Sequence, residues 1–454
     1  MTSRNAAQDL PIAIVGGGFS GTLLAINLLR YGVKVALIER SSAQLAKGVA
    51  FGTRRPEHLL NVRAANMSAF PDDAGHFLRW MEFSDKDEAN RFVPRLTYGV
   101  YLREALVEAL AKAGPNAQII NGEALSVDFA ADAARVRLAD GEVLECRSVV
   151  LALGNFPPVP HPVLQGLPDG LYYPDPWDAP AVTGLDGLDH VLVVGSGLTA
   201  ADVVLSLESS GFKGKVTVLS RRGLKPLSHA ESGPVVAPVQ DPDRRGSQLV
   251  REVRRRAAEL GWRAAVDGLR PHTQNIWRRH SVTAQASFLR HLRPYWDIHR
   301  HRLAPAVAQR LEDLEASGRL RYVAGKLGQA EERGGRAAVS YRPRGESGTQ
   351  VLEVDRIYNC AGPDCDLSRV DLPLVQGLLE QGRITGDAHA LGVDVDHLGR
   401  VRGADGAVQD NLLAVGPITK GEAWEIVAVP DIRRQVWGLA RFLADEHWVG
   451  GEGL

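Results

Sequence analysis

The chain reads as an α/β protein built from two parallel-sheet units, and three observations carry that reading. Residues 12–15 form a short apolar run that enters Gly16-Gly17-Gly18-Phe19-Ser20-Gly21, and apolar residues at helical spacing follow (Leu23, Leu24, Ile26, Leu28, Leu29). The same order returns at residues 191–194, in Gly195-Ser196-Gly197-Leu198-Thr199-Ala200, and in a helix through Val204 and Leu207. Each unit then closes on an apolar strand that ends in glycine, at Gly154 and at Gly362. A strand, a glycine-rich turn and a helix, met twice, predict two Rossmann-like dinucleotide-binding domains.

The remaining elements follow from local pattern. Residues 33–38 are apolar and β-branched, so they read as a second strand, with Glu39 at its end. Apolar spacing predicts a helix over 102–113, then a strand at Ile119-Ile120. Alternation through Val136-Arg137-Leu138 with an Asp140-Gly141 turn predicts an antiparallel meander. The second copy has a strand at 215–219, a helix through Leu311 and Leu314, and strands at 320–323 and 338–341. Residues 241–310 break the plan. They are helix-like and hold 15 basic and 6 acidic residues, a balance of +9 against −10 elsewhere, with Trp262, Trp277 and Trp296 among them. They read as a basic helical insertion. Their arginines suit either a solvated cap or a surface for an anionic substrate. The expected division is 1–160 with 351–454 for the first domain, 161–240 with 311–350 for the second, and 241–310 for the insertion.

Composition narrows the function. The 454 residues carry 53 basic and 54 acidic side chains, which argues against a nucleic-acid binder, whose affinity rests on positive charge. Three cysteines give no disulfide framework, and no metal site is expected, so the natural setting is the cytoplasm. Residues 11–29 contain no charge, yet four glycines interrupt them; a strand, turn and helix explain them better than a membrane span.

Within the first fingerprint, Gly16 permits the tight turn, Gly18 lets a pyrophosphate approach the backbone, and Gly21 lets helix and strand pack. Phe19 and Ser20 open the helix at whose positive end the phosphates would sit. Glu39 accepts from ribose hydroxyls, with Arg40 beside it, and Gly154 borders the same crevice. In the second fingerprint Gly195, Gly197, Thr199 and Ala200 play these parts, with Gly362 at the closing strand. No acid follows its second strand; Ser220-Arg221-Arg222 stand there instead. Guanidiniums suit a 2′-phosphate, which predicts NADPH over NADH.

With both fingerprints in view, the chain resembles the two-dinucleotide flavoproteins, the glutathione-reductase-like and flavin-monooxygenase-like folds. Within them it is similar to bacterial FAD/NAD(P)-binding proteins described as urate-hydroxylase-like, relatives of flavin N-monooxygenases. The carrying segments are residues 14–22, 48–53, 58–64 and 70–73, then Leu413-Ala414-Val415-Gly416-Pro417, Trp424-Glu425 and Val429-Pro430-Asp431-Ile432-Arg433. The resemblance implies FAD at the first fingerprint and NADP at the second. Gly416 and Pro417 would complete the FAD site, and the helix starting at Val429 and Pro430 would face the flavin pyrimidine, where reduced flavin is negative.

The resemblance also implies an FAD-dependent, NADPH-consuming monooxygenase. It would act on a small polar substrate, anionic or nitrogen-containing, through a flavin oxygen adduct, with molecular oxygen as the other partner. Asn61, then Asn66, are candidates to orient NADP or the adduct, or are turn residues; His229 is a candidate beside the nicotinamide, or a loop histidine. Two departures bear on this. Gly170 stands where the F-x-G-x-x-x-H signature of ketone-oxidising relatives has histidine, and Cys360 and Cys365, though spaced like a reductase dithiol, end a late strand. An NAD(P)H:acceptor oxidoreductase and a non-catalytic regulatory flavoprotein are the alternatives.

Overall fold

A computed structural model describes residues 9–130, 133–177, 182–231, 242 and 245–446. The first unit supplies β1 (Ile12–Val15), β2 (Val35–Glu39), β3 (Ala117–Asn121), β4 (Ala124–Phe129), β5 (Ala134–Leu138), β6 (Val143–Cys146) and β7 (Ser148–Leu151). The second supplies β8 (Tyr172–Tyr173), β9 (His190–Val194), β10 (Lys215–Ser220), β11 (Leu320–Arg333), β12 (Arg336–Pro343), β13 (Gln350–Val354) and β14 (Arg356–Asn359). The chain then adds β15 (Arg400–Arg402) and β16 (Val408–Ala414) to the first sheet.

The first sheet has the order β15-β16-β7-β1-β2-β3 and the second β13-β12-β11-β10-β9-β14-β8. Both therefore share a core in which two crossovers run outward from the first strand in opposite directions, the doubly wound α/β pattern. In each, the central strand pairs in parallel on both sides: β1 with β2 and β7, β9 with β10 and β14. The meanders differ. β3 stops at Asn121, and β4, β5 and β6 form a separate three-stranded sheet. β11 instead runs for 14 residues, pairing with β10 in its first part and with β12 in its second. One correction follows for the domain division. β13 and β14 are laddered into the second sheet, so the chain returns to the first unit after Asn359 and not at 351. The 240/241 junction lies outside the described residues.

Helices complete the layers. α1 (Phe19–Arg30) follows β1, α2 (Arg95–Ala113) precedes β3, and α3 (Leu198–Ser209) follows β9. The insertion holds α4 (Gly246–Leu260), α5 (Trp262–Leu269), α6 (Thr273–Arg279), α7 (Val282–His291) and α8 (Arg293–Arg300). α9 (Pro305–Ala316) leads into β11, α10 (Pro373–Glu380) packs on β4, and α11 (Val429–Leu443) lies against α1. α1 is buried almost all round because α2 and α11 cover the side that the sheet does not. α4 buries nothing, and its arginines pair along its own surface, Arg255 with Glu252 and Glu259.

The insertion leaves and rejoins the second unit through a neck. Leu303 N donates to Leu227 O at 2.9 Å, and His229 N donates to Leu303 O at 3.0 Å. Its far end docks on the C-terminal part of the first unit. Trp277 stacks on Trp424 with ring centroids 4.7 Å apart, and Trp277 Nε1 donates to Gly421 O at 2.7 Å.

Steric fit at the β1–α1 turn yields a stability prediction. A Cβ on Gly21 would lie 1.9 Å from Gly16 O and 3.1 Å from Ala152 Cβ, whereas one on Gly438, within α11, meets nothing within 4 Å. Gly21→Ala is expected to cost at least ~2 kcal/mol in urea unfolding. Gly438→Ala is expected to be neutral or stabilising by up to ~1 kcal/mol. Equal effects would show that the helix does not need this approach to its strand.

Candidate functional site

A cavity of about 890 Å³ opens at the carboxyl ends of β1 and β7, where the first sheet's crossovers part. Backbone ties fix its mouth. Gly16 N donates to Ile38 O at 2.9 Å and Ala152 N to Val15 O at 2.8 Å. Gly16 has φ of 105°, and a Cβ there would lie 2.5 Å from Ala152 O, so only glycine lets the two strand ends touch. The second unit repeats the device. Gly195 has φ of 104°, a Cβ there would lie 2.2 Å from Cys360 O, and Cys360 N donates to Val194 O at 2.7 Å.

The middle glycines behave differently. A Cβ on Gly18 would meet only the Gly48 backbone, Cα at 3.4 Å and N at 3.8 Å, and one on Gly197 meets nothing within 4 Å. The fold has no steric need for glycine at either place, which leaves room for a group that comes close to the backbone. α1 and α3 each start on these glycines without a side-chain cap. Their first-turn N–H groups therefore lack intrahelical partners and present a positive end to an anion. A dinucleotide pyrophosphate fits that cradle.

Gly16, Gly18, Phe19, Ser20, Glu39, Arg40 and Gly154 all line the cavity. Glu39 accepts from Gly17 N at 2.8 Å and Ser41 N at 2.9 Å, which aims the carboxylate and leaves lone pairs for ribose hydroxyls. Pro417 and Val429 also line it, with Val427 and Ile432. Gly416 stands behind Ser20, held by Gln435, and Pro430 is buried in the first turn of α11. Asp431 would set a negative charge in that first turn, but Arg270 and Arg300 of the insertion lie 3.5 and 4.0 Å from it. The same helices hold Glu425, which receives Trp296 Nε1 at 2.8 Å and faces Arg300 at 3.0 Å. Burial pushes the Glu425 carboxyl up, yet His301, Arg300 and Trp296 together bring it down to about 2.

From the second unit, Thr199 and Asn359 reach the cavity, and Cys360 and Gly362, just past β14, line it too. Gly21 lies off it, closed against the Gly16 turn. Gly195, Gly197, Ala200, Arg221 and Arg222 also lie off it, because Gly195 is sealed on Cys360 and Ala200 is buried in α3. The paired arginines separate. Arg221 is exposed, while Arg222 donates to Arg290 O at 3.4 Å and lies 5.9 Å from the Tyr295 ring centroid, so the insertion engages it.

The two catalytic candidates meet each other and not the cavity. His229 Nε2 lies 3.0 Å from the Asn61 carbonyl oxygen, and its ring centroid is 5.0 Å from that of Phe92. A carbonyl only accepts, so Nε2 carries the proton and the ring ties the β10–insertion loop to the segment after His58. Burial, helped by the charges of Arg302 and Arg63, pulls His229 down to about 4. Neither residue is among those that line the chamber. Asn66 offers its carbonyl to Arg433 Nη1 at 3.3 Å.

Sequence reasoning missed Arg95, which lines the cavity and pairs with Asp202 of α3 at 2.8 Å, bridging the units. A signal existed: a cation in the first turn of a helix is unfavourable unless a tertiary partner offsets it. It also missed Asp175 and Trp177 on the cavity wall, for which local pattern holds no sign.

Residues 13–156 match a family model described as FAD-NAD(P)-binding. That segment holds the first fingerprint, Glu39 and Gly154. A curated relative, the dual trans-enoyl reductase/FAD-dependent monooxygenase of Aspergillus terreus, is 32% identical over 117 residues, which are 24% of this chain and 16% of that one. Among solved structures, L-lysine 6-monooxygenase from Pseudomonas syringae superposes with a TM-score of 0.66 at 16% identity, covering 96% of this chain and 99% of that one. The Kutzneria ornithine N-hydroxylase gives 0.63 at 17%, covering 96% and 98%. Thioredoxin reductase from T. acidophilum gives 0.55 at 11%, covering 97% and 99%. The fold is that of the two-dinucleotide flavoproteins. Among the described residues no helix is long and apolar enough to cross a membrane.

Two predictions arise here. Gly197→Ala is expected to leave the unfolding midpoint unchanged and weaken NADPH binding at least tenfold by equilibrium titration; unchanged affinity would remove α3 as the phosphate site. For His229, the folded value of about 4 lies below its ordinary 6.5, so the unfolded chain binds the proton first. Its stabilising contribution is whole above pH ~6.5 and is lost as pH falls toward ~4, up to ~3 kcal/mol. Wild type compared with His229→Gln in denaturant series across that window checks this; parallel curves would refute it.

Proposed function

We propose that the chain is an FAD-dependent, NADPH-consuming monooxygenase acting on a small polar substrate, with molecular oxygen as co-substrate. The observation that carries this is one cavity lined both by the first fingerprint and by Thr199 and Asn359 of the second unit. A reductant held at one nucleotide site and a flavin held at the other would share one chamber. FAD held there would supply the redox chemistry that links NADPH oxidation to oxygen. The domain division, with the first unit for FAD and the second for NADP, follows from the same reading.

The chain's own residues bind, orient and shield. The first turn of α1 and the Glu39 carboxylate would hold the pyrophosphate and the ribose. The start of α11 would stabilise negative charge at the flavin's pyrimidine edge, with the Asp431 charge offset by Arg270 and Arg300. Arg221 is the guanidinium left exposed for a 2′-phosphate. His229 acts as a structural tie for Asn61, and neither is assigned a proton-transfer role. Oxygen insertion is favoured over dithiol exchange by the cysteines. Burial raises the Cys360 thiol far above its ordinary value, and Cys365 is turned to the Pro363 carbonyl.

The finer substrate reading is a nitrogen-bearing or anionic molecule. It is supported by the fold-level likeness to ornithine and lysine hydroxylases and by the resemblance to urate-hydroxylase-like proteins, so amino acids and oxidised purines head the screen. The test needs no substrate: the FAD-loaded protein is reduced anaerobically with NADPH, mixed with oxygenated buffer and followed by absorbance. Bleaching by NADPH, then a lasting blue-shifted band before the oxidised spectrum returns, is the expected result. Bleaching followed by direct return and acceptor-dependent turnover would make the chain an acceptor oxidoreductase, and no bleaching would remove the catalytic reading.

A further inference from the structure

Where the insertion meets the C-terminal segment, two cations gather at one aromatic ring. The ring is that of Trp424, which is 4% exposed and stacked on Trp277. Lys420 Nζ lies 5.3 Å from the Trp424 ring centroid, and the Arg293 guanidinium carbon lies 6.0 Å from it. The cluster is close in sequence to the chamber: Pro417, three residues before Lys420, and Asp364, one before Cys365, line the cavity.

The charges here do not close. Among the described residues Lys420 forms neither a side-chain hydrogen bond nor an ion pair, and the Trp424 ring is its polar contact. Burial, then the charge of Arg293, push its ammonium below the ordinary lysine range. Arg293 reaches Asp297 at 3.4 Å, and His301 lies 4.0 Å from the same carboxylate. Glu425, the next acid, is already taken by Arg300 and Trp296. Two cations therefore share one free carboxylate, leaving a single positive charge unanswered in a half-buried place, where an unpaired charge is costly.

We infer that Lys420 and Arg293 form a subsite for the carboxylate of an organic monoanion, the substrate of the chamber next to it. The inference rests on the redox reading of that chamber. A monoanion balances the cluster, whereas a phosphate dianion would face Asp297 with charge to spare. A guanidinium beside an ammonium matches a planar carboxylate, the fork taking both oxygens and the ammonium adding a point charge.

Ligand-observed NMR on the FAD-loaded protein, with butyrate as the probe and butyramide as its uncharged counterpart, tests this without NADPH or oxygen. Butyrate is expected to bind and butyramide not. Lys420→Met and Arg293→Gln should each weaken butyrate at least tenfold, and Lys420→Arg should retain most of the affinity; flavin absorbance and unfolding midpoint report that each variant is folded. Equal binding of the two probes, no butyrate binding, or unchanged affinity in both charge-removing variants would overturn the subsite. A failure here leaves the oxygen experiment untouched. A protein that binds butyrate through Lys420 yet is never reduced by NADPH would sink only the redox reading.

Discussion

The architecture depends on one contact made twice: a strand end with no side chain pressed against the carbonyl of the strand beside it. Gly16 on Ala152 and Gly195 on Cys360 bring β1 to β7 and β9 to β14 at the points where the crossovers part. The next helix then starts in the crevice with its donors bare, at both nucleotide sites. Because the pairs are parallel and buried on both faces, the apolar runs feeding them need no alternation. Any side chain at either glycine would separate the strands and widen the mouth of the crevice.

A second dependence links the insertion to the first unit. Asp431 stands in the first turn of α11, where an acid is favoured, whereas Glu425 is buried where a lone charge is costly; insertion side chains meet both, Arg270 and Arg300 at Asp431, Arg300 and Trp296 at Glu425. Glu425 also has φ of 72°, a conformation that a non-glycine residue holds only when its surroundings enforce it. The insertion is thus an electrostatic part of the end where a flavin ring would lie, and its positive excess is partly spent inside the protein.

Much of this was legible in the residues, and the part that was not has a physical pattern. Period and turn chemistry are local, so β1, β9, their glycine turns, the Asp140-Gly141 hairpin and the helical character of 246–300 appear where expected. β8, with two residues, has too little length to show a period. The domain boundary was set too early because β13 and β14 look like the closing strands of either unit; only their ladders to β12 and β9 decide. The site divides the same way. Residues that bind through backbone, such as Gly16, Gly18 and Ser20, announce themselves by their lack of side chain. Asn61, His229 and Arg222 stand out by their functional groups, yet the His229 ring and the Arg222 guanidinium are engaged by partners distant in sequence, and Asn61 enters the first of these contacts through its backbone carbonyl. Lys420 was invisible for the converse reason, since what marks it is a missing partner.

The neck at Leu227 and Leu303 gives the insertion a character of its own. Because the outgoing and returning strands hydrogen-bond to each other, the crossover from β10 to α9 is complete without the helices that hang from it. The twin sheets therefore do not depend on the hanging helices for their connection. The short stretch from Trp424 to Asp431 does depend on them, since without their arginines Glu425 and Asp431 would stand bare.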